Sequence, residues 1–309
     1  MDKNLYQLLC CPHCKNKLRT EQGKFYCKNC KQTYRINDGI PDFSYKINES
    51  GMKLSQKKWD EKYRQDTKKN IVRELDFLDN KFFSLVWNQI KKNFELKKKD
   101  IFLEIGCGTF YFGRHLAKLG YTVVGIDMSI EALKLAQSVF TREGIKNYLL
   151  VCGNVLNMPF KENSIDMLYG AGVIEHFPDT FSAVKELQRV LKKGGVAYNT
   201  VPYLNIGSLT YRQVWGNIPR LPVLEELFTF IHTEILGARH MRFGYELSFT
   251  RSYLEKIHRQ AGFSTVKTGQ FECELDFDYL KNKSLRRMAI SLSKNSPLFW
   301  PMIYVAGKK

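Results

Sequence analysis

The sequence predicts an α/β protein, a mostly parallel sheet covered by helices on both faces, with a small cysteine-bound module ahead of it. Three observations carry this expectation. From residue 101 onward, short apolar or β-branched runs alternate with segments of helical spacing, as a parallel sheet requires because each crossover needs room for a helix. The first such run ends on a tight glycine turn, Gly106-Cys-Gly108. Ahead of both, two Cys-x-x-Cys pairs lie within the first 30 residues.

Composition bounds the reading. The 309 residues suffice for one medium domain and a small module, and 44% hydrophobic against 26% charged residues reads as a soluble globular protein. No apolar run approaches the roughly 18–20 residues of a transmembrane helix, and Leu8–Cys11 is too short for a secretory leader. The expected compartment is therefore the reducing cytoplasm, where paired cysteines read as metal ligands before disulfides. The net charge is +17, and residues 1–58 hold 12 Lys and Arg against 5 Asp and Glu. A basic surface favours phosphate-rich partners by counterion release. Runs such as Lys97–Lys99 also fit ordinary solvated helix faces.

The elements follow in order. Residues 1–43 form the cysteine module. Residues 44–58, polar and carrying Ser50, Gly51 and Ser55, read as a linker, and 59–309 as the main domain. Helical spacing runs from Trp59 to Phe94, through Tyr63, Leu75, Leu78, Phe82, Leu85, Val86 and Ile90. Ile101–Ile105 is a strand, and helical spacing returns through Leu116 and Leu119. Thr122–Ile126 is the second strand, followed by a helix over Ser129–Phe140 that opens on a serine cap. Tyr148–Cys152 and Ile165–Tyr169 are further strands. Thr180–Leu191 is a helix halted at Gly194-Gly195, and Val196–Val201 is a strand ended by Pro202. Residues 203–248, rich in Leu and aromatics, break the rhythm and read as a mostly helical insertion over the open end of the sheet. Ser252–Ala261 is a helix closed by Gly262, and Phe263–Thr268 with Met302–Ala306 make a last strand pair.

The cysteines define a zinc ribbon. Cys11-Pro-His-Cys14 and Cys27-Lys-Asn-Cys30 are separated by twelve residues with a turn at Gln22-Gly23-Lys24, which folds one pair onto the other. Four thiolates at tetrahedral corners bind Zn²⁺ with no open position, so the ion is structural and stabilises a module too small to bury its own core. Cys10 is the alternative to Cys11, but the Cys-Pro-x-Cys spacing favours Cys11. His13 reads as an exposed side chain. The stretch Tyr34-Arg-Ile-Asn-Asp-Gly-Ile-Pro-Asp-Phe43 resembles the tail of the small zinc-ribbon domain that serves as activator subunit of tRNA and release-factor methyltransferases.

The glycine turn marks a ligand site. Gly106 and Gly108 let the backbone approach a ligand at the carboxyl end of the first main-domain strand. Asp127 ends the next strand 19 residues beyond Gly108, where an acid can accept both hydroxyls of a ribose. Six segments then extend the pattern: Leu103–Thr109, Val124–Ser129, Gly153–Phe160, Ser164–Leu168, Val173–Asp179 and Val190–Gly195. Together they resemble the class I S-adenosylmethionine (SAM)-dependent methyltransferases of the UbiE/UbiG-like group, over about residues 59–202 and more loosely to the C-terminus, where Arg242–Thr250 and Ala261-Gly-Phe263 also match.

The resemblance implies a Rossmann-like, seven-stranded, mostly parallel sheet, and it implies roles. Glu104 would orient the cofactor's amino group and the glycine loop. Asp127 would bind the ribose, Met128 would pack on the adenine, and Asn154 would contact the adenine amine with Val155 beside it. The Gly170 and Ala171 backbone would meet the methionine end. The chain departs from the family at Phe110, which stands where a third glycine is usual and should narrow the loop or re-angle the helix. It departs also at Asn154 in place of an acid, and at Lys193 in place of a proline.

The expected reaction is methyl transfer to a small-molecule acceptor, apolar or lipid- or glycan-linked, with oxygen as the attacking atom. His176, after the fourth strand, is the first candidate proton acceptor and His240 the second. Helix capping or support of neighbouring groups is the competing role for His176. Glu175-His176 also end an acid-rich metal motif of some methyltransferases, but Gly172 stands at its first acid, so a hard cation would lack an oxygen ligand. Trp215, Leu221, Leu224, Leu227, Phe228, Phe230 and Ile231 mark the insertion as a lid over an apolar acceptor or a flap with its own core. Two other functions compete. One is an RNA methyltransferase using the basic ribbon, though Phe25, Tyr26 and Tyr34 give it little for base stacking. The other is a non-catalytic SAM- or partner-binding scaffold, motivated by Phe110.

Overall fold

The computed structural model describes residues 1–44, 50–68, 72–92, 94–205, 218–235, 246–271 and 281–309. The chain begins with a short turn of 3-10 helix at Lys3–Leu8 and then a four-stranded antiparallel ribbon: β1 (Leu18–Glu21), β2 (Lys24–Cys27), β3 (Thr33–Asn37) and β4 (Ile40–Asp42). Gln22 and Gly23 take positive φ at the first hairpin, and Asp38 and Gly39 at the last, the backbone signs that tight hairpins need.

Two long helices follow, α1 (Ser50–Lys68) and α2 (Val72–Lys91). The stretch 50–58, read from composition as linker, is thus the first half of α1. Contacts of Gln56, Asp60 and Arg64 with Met128, Ser129 and Glu131 fix it, a commoner source of helix stability than local propensity.

The alternation then appears in order: β5 (Ile101–Ile105), α3 (Tyr111–Lys118), β6 (Thr122–Asp127), α4 (Ile130–Arg142), β7 (Tyr148–Cys152), β8 (Ile165–Ala171), α5 (Thr180–Val190) and β9 (Leu191–Pro202). Ser129 caps α4 by accepting from Ala132 N–H, and Asp179 caps α5 by accepting from Ser182 N–H. Beyond β9 come β10 (Ile218–Pro219), α6 (Glu225–Phe230), β11 (Leu247–Ser248), α7 (Arg251–Gln260), β12 (Thr265–Gln270), α8 (Lys283–Asn295) and β13 (Met302–Lys308). Among its described residues the insertion holds α6, one π-helical turn at Ile231–Ile235 and a two-residue parallel pair, β10 with β11, that the sequence pattern did not predict.

The main sheet runs β7-β6-β5-β8-β9-β13-β12; β13 alone is reversed, pairing antiparallel with β9 on one side and β12 on the other, so β12 points the same way as the five parallel strands. The order reverses beside β5, which places a crevice at the carboxyl ends of β5 and β8. One face buries Phe102, Met167, Tyr169 and Tyr198 with α2, α3 and α4; the other buries Leu103, Ile105, Leu168, Ala197 and Val201 with α5 and α7.

The ribbon does not stand apart. Its last strand β4 lies parallel to β7, with Asp42 opposite Cys152 and Phe43 N–H donating to the Cys152 carbonyl at 2.8 Å, so ribbon and main domain share one eleven-stranded sheet. Leu5, Leu8, Leu9, Phe25, Tyr34 and Phe43 join the same apolar core as Leu149, Val151, Met158 and Phe160. No described helix is long and apolar enough to cross a membrane.

Candidate functional site

At the tip of β5 the chain turns sharply through Gly106, Cys107 and Gly108. Gly106 has φ 56°, Gly108 φ 50° and Phe110 φ 57°, three left-handed residues in five. A Cβ on Gly106 would lie 2.6 Å from Val173 Cγ2, and one on Gly108 would lie 2.6 Å from the Tyr63 hydroxyl. The left-handed backbone favours glycine at both positions, and at Gly106 the close Val173 side chain adds a steric demand.

Two buried carboxylates hold this loop from below. Asp127, at the tip of β6, accepts from Gly108 N–H and Ser129 N–H, each at 2.8 Å. Glu104 on β5 accepts from Gly113 N–H in the first turn of α3 at 2.9 Å. Burial pushes the Glu104 carboxyl up to about 8, opposed by the Gly113 N–H and reinforced by the Asp127 charge. Asp127 is also raised by burial, although the two N–H groups favour its charged form. A carboxylate so placed gains from a cationic or hydroxyl-bearing ligand that restores the hydration it has lost.

Phe110 does not narrow the hollow. Its ring has no exposed surface and stacks on Phe140 at 5.4 Å with an interplanar angle of 3°. The chain accommodates it with two glycines: a Cβ would meet the ring at 2.0 Å on Gly113 and at 3.2 Å on Gly125. The missing family glycine is thus offset by small residues on the next helix and strand, and the left-handed backbone is kept.

The other expected cofactor residues line the same strand ends. Gly170 and Ala171 close β8, with Gly170 opposite Ile105 and Asn199. Met128 is half-buried after Asp127, and Val155 is buried after β7. Asn154 uses its Oδ1 to cap its own turn, accepting from Leu156 N–H at 2.9 Å; its amide N–H₂ and the oxygen's second lone pair are separate from that bond. His176 is half-buried in the turn Ile174–His176, one turn beyond the Val173 that covers Gly106. His240 and Trp215 lie outside the described residues. Leu224, Leu227 and Phe230 are 44%, 53% and 56% exposed, so they pack no core of their own.

Sequence reasoning missed α1 as part of the site. Gln56 donates to the Met128 carbonyl at 2.8 Å, and Ser129 Oγ donates to Asp60 at 2.5 Å. With Tyr63 over Gly108 and Trp59 stacked on Tyr63 at 5.6 Å, α1 lies across the tips of β5 and β6. The four-residue spacing of Trp59 and Tyr63 marked a helix, but nothing local signals its return to strands that come 40 residues later.

In the ribbon, the sulfurs of Cys11, Cys14, Cys27 and Cys30 all lie within 4.8 Å of one another. That spread suits one tetrahedral ion with thiolate ligands, the set that selects zinc. Cys10 is excluded from the cluster; its N–H donates to the Pro159 carbonyl at 2.8 Å. Tyr34 Oη lies 3.1 Å from Cys11 Sγ, and His13 is exposed. Among the described residues no second group of acids, histidines or cysteines is arranged to hold a metal.

The ribbon also grips the loop after β7. Leu9 bridges to Phe160, and Lys161 N–H donates to Leu8. Lys15 Nζ bonds Glu186 at 2.8 Å and the Met158 carbonyl at 3.2 Å. Arg189 bonds Glu186 through two nitrogens and reaches the Phe160 and Met158 carbonyls at 2.8 and 3.1 Å.

Comparison with known proteins agrees with this arrangement. Residues 103–199 match the methyltransferase domain family and residues 2–39 the Trm112p-like protein family. The chain is 27% identical over 217 residues to a demethylmenaquinone methyltransferase of Staphylococcus saprophyticus, an alignment covering 67% of this chain and 90% of that relative. The counterpart of Staphylococcus carnosus is 27% identical over 193 residues, covering 60% and 77%. The fold resembles Haemonchus contortus phosphoethanolamine N-methyltransferase 2, solved with phosphomonomethylethanolamine and S-adenosylhomocysteine. That match has TM-score 0.51 and 21% identity over 72% of this chain, which spans about half (52%) of that protein. A chain from a complex between the Haloferax volcanii Trm112 methyltransferase activator and a methyltransferase matches with TM-score 0.50 and 17% identity, covering 76% of this chain and 94% of that one. Residues 2–39 are accordingly a Trm112p-like domain and residues 103–199 a methyltransferase domain, and the protein is a SAM-dependent methyltransferase.

Proposed function

We propose that the enzyme methylates a small apolar acceptor at oxygen, with a quinone- or phenol-like ring as the acceptor class. The observation that carries the acceptor class is the run of relatives named demethylmenaquinone methyltransferases, the first of which the chain matches over 90% of its length; oxygen as the attacking atom rests instead on the proton acceptor that His176 offers. The exposed apolar side chains of Leu224, Leu227 and Phe230 support it, because their segment follows β10, whose partner β11 packs against the turn bearing His176.

SAM supplies a methyl group already activated as a sulfonium, whose departure leaves a neutral thioether. The protein's part is to align and to exclude water. In this reading Asp127, its carboxylate fixed by Gly108 and Ser129, accepts the ribose hydroxyls. Glu104 faces the amino group through the glycine loop it braces. The Asn154 side chain and Met128 flank the base, and the Gly170–Ala171 backbone meets the methionine end. Tyr63 and α1 shield the loop from solvent, and His176 accepts the proton that the acceptor hydroxyl loses as its oxygen bonds the methyl carbon.

The RNA reading loses its support in the ribbon. Phe25 and Tyr34 are buried against Phe43, at ring distances of 5.8 and 4.9 Å, and so cannot stack on bases. Lys15 is engaged by Glu186 rather than presented to a phosphate. The scaffold reading loses its motive because the Phe110 ring lies in the core.

Incubating the enzyme with methyl-labelled SAM and either a demethylated quinone or total RNA tests the proposal. Label should enter the organic phase and fall at least about a hundredfold in His176→Ala, the low end of the effect of removing a general base. Label confined to RNA would reject it.

A further inference from the structure

Helix α8 plays no part in the site described above, and its three faces differ. Arg286, Ala289, Ile290 and Ser293, spaced three and four apart, are its less exposed side; Ser293 is buried and its carbonyl accepts from Gln270 at 2.7 Å. Leu285, Met288 and Leu292 form a second stripe of the same spacing, but these are 50%, 55% and 41% exposed, and Leu298 just past the helix end is 51% exposed. Lys283, Arg287 and Lys294 line the side away from that stripe and are exposed. Residues 281–299 carry five Lys and Arg and no Asp or Glu.

We infer that α8 is a membrane-surface helix that lies in the headgroup layer of an anionic bilayer, with Leu285, Met288 and Leu292 inserted toward the acyl chains. A helix with an apolar stripe on one side and Lys and Arg on the other, too polar to span, is the form that rests in a membrane interface. Charge selects the occupant. A second copy of this chain carries the same +17 and would bring two acid-free basic helices together. An RNA would meet the basic side but leave the apolar stripe in water, and α8 itself has no aromatic residue for base stacking. An anionic lipid surface satisfies both sides at once, the stripe entering the apolar layer while each basic residue close to the surface is drawn to its charge. The inference is independent of the acceptor's identity.

Co-sedimentation of the full chain with vesicles tests it. The protein should pellet with phosphatidylglycerol–phosphatidylcholine vesicles, remain in solution with phosphatidylcholine alone, and lose binding as salt rises. Leu285→Ser with Leu292→Ser should weaken partitioning by at least about tenfold, from the apolar area no longer inserted. Lys283→Gln with Arg287→Gln should weaken it by about ten- to thirtyfold. Both double variants replace outward-facing side chains, so unchanged melting temperature and SAM affinity will show that they fold. Absence of pelleting, equal pelleting on neutral vesicles, or indifference to either double variant overturns the inference. So does a dimer in sedimentation velocity that Leu285→Ser with Leu292→Ser dissociates, since the stripe would then join two copies.

Discussion

Replacing Glu104 by Gln should stabilise the cofactor-free protein increasingly as pH rises, while removing the charge through which Glu104 is proposed to orient the cofactor's amino group. The folded carboxyl sits at about 8 against 4.5 for an unperturbed glutamate, with burial the largest cause and the Asp127 charge adding to it. Between those values the folded state keeps the proton and the unfolded state has released it. Stability therefore falls with rising pH, by about 1.4 kcal/mol per pH unit. The whole effect is absent below the unfolded value and complete above the folded one. At pH 7 the ceiling on the cost is about 3 kcal/mol. Glutamine keeps an oxygen that can accept from Gly113 N–H and has nothing to ionise. Urea titrations of both proteins at intervals from pH 5 to pH 8 should show Glu104→Gln gaining on the wild type throughout the window, and calorimetry should show weakened SAM binding. A stability difference that stays flat across that range would mean Glu104 ionises like a solvated acid and would refute the reasoning.

Three other outcomes follow from the same geometry. Stripping zinc with a chelator should unfold the ribbon and, because β4 and Leu9 hold β7 and the Asn154–Phe160 loop, should lower SAM affinity as well as melting temperature; unchanged affinity in the metal-free protein would separate ribbon from site. Phe110→Ala should cost about 3–5 kcal/mol by opening a cavity beside Phe140, with SAM affinity of the folded fraction preserved, as denaturant midpoints and calorimetry at low temperature can check. Arg189→Ala should cost about 2–3 kcal/mol, since Glu186 and the Met158 and Phe160 carbonyls lose charge-assisted partners, and a double-mutant cycle with Glu186→Gln should show coupling well above that of an exposed pair.

Much of the fold was legible because the parallel strands are buried on both faces and read as short apolar runs, as Leu149–Val151 do. The glycine loop, Asp127 and the four cysteines were legible because their backbone or ligand demands fix both residue type and spacing. What stayed hidden depends on distant pairing. Residues 50–58 look like linker until Gln56 and Asp60 find Met128 and Ser129. The joining of β4 to β7 rests on backbone hydrogen bonds, which leave no side-chain signature. Phe110 looked obstructive because the space for its ring is made by Gly113 and Gly125, and only the fold brings these to it.

Titration calorimetry of SAM into the wild type and Asp127→Asn tests the account at its centre. One site per chain is expected in the wild type. Because the Asp127 carboxylate accepts from Gly108 and Ser129 N–H and is proposed to accept the ribose hydroxyls, the variant should lose at least about a hundredfold in affinity, the effect of two charge-assisted hydrogen bonds. Absence of binding in the wild type, or equal affinity in the variant, would contradict a nucleoside site at the tips of β5 and β6.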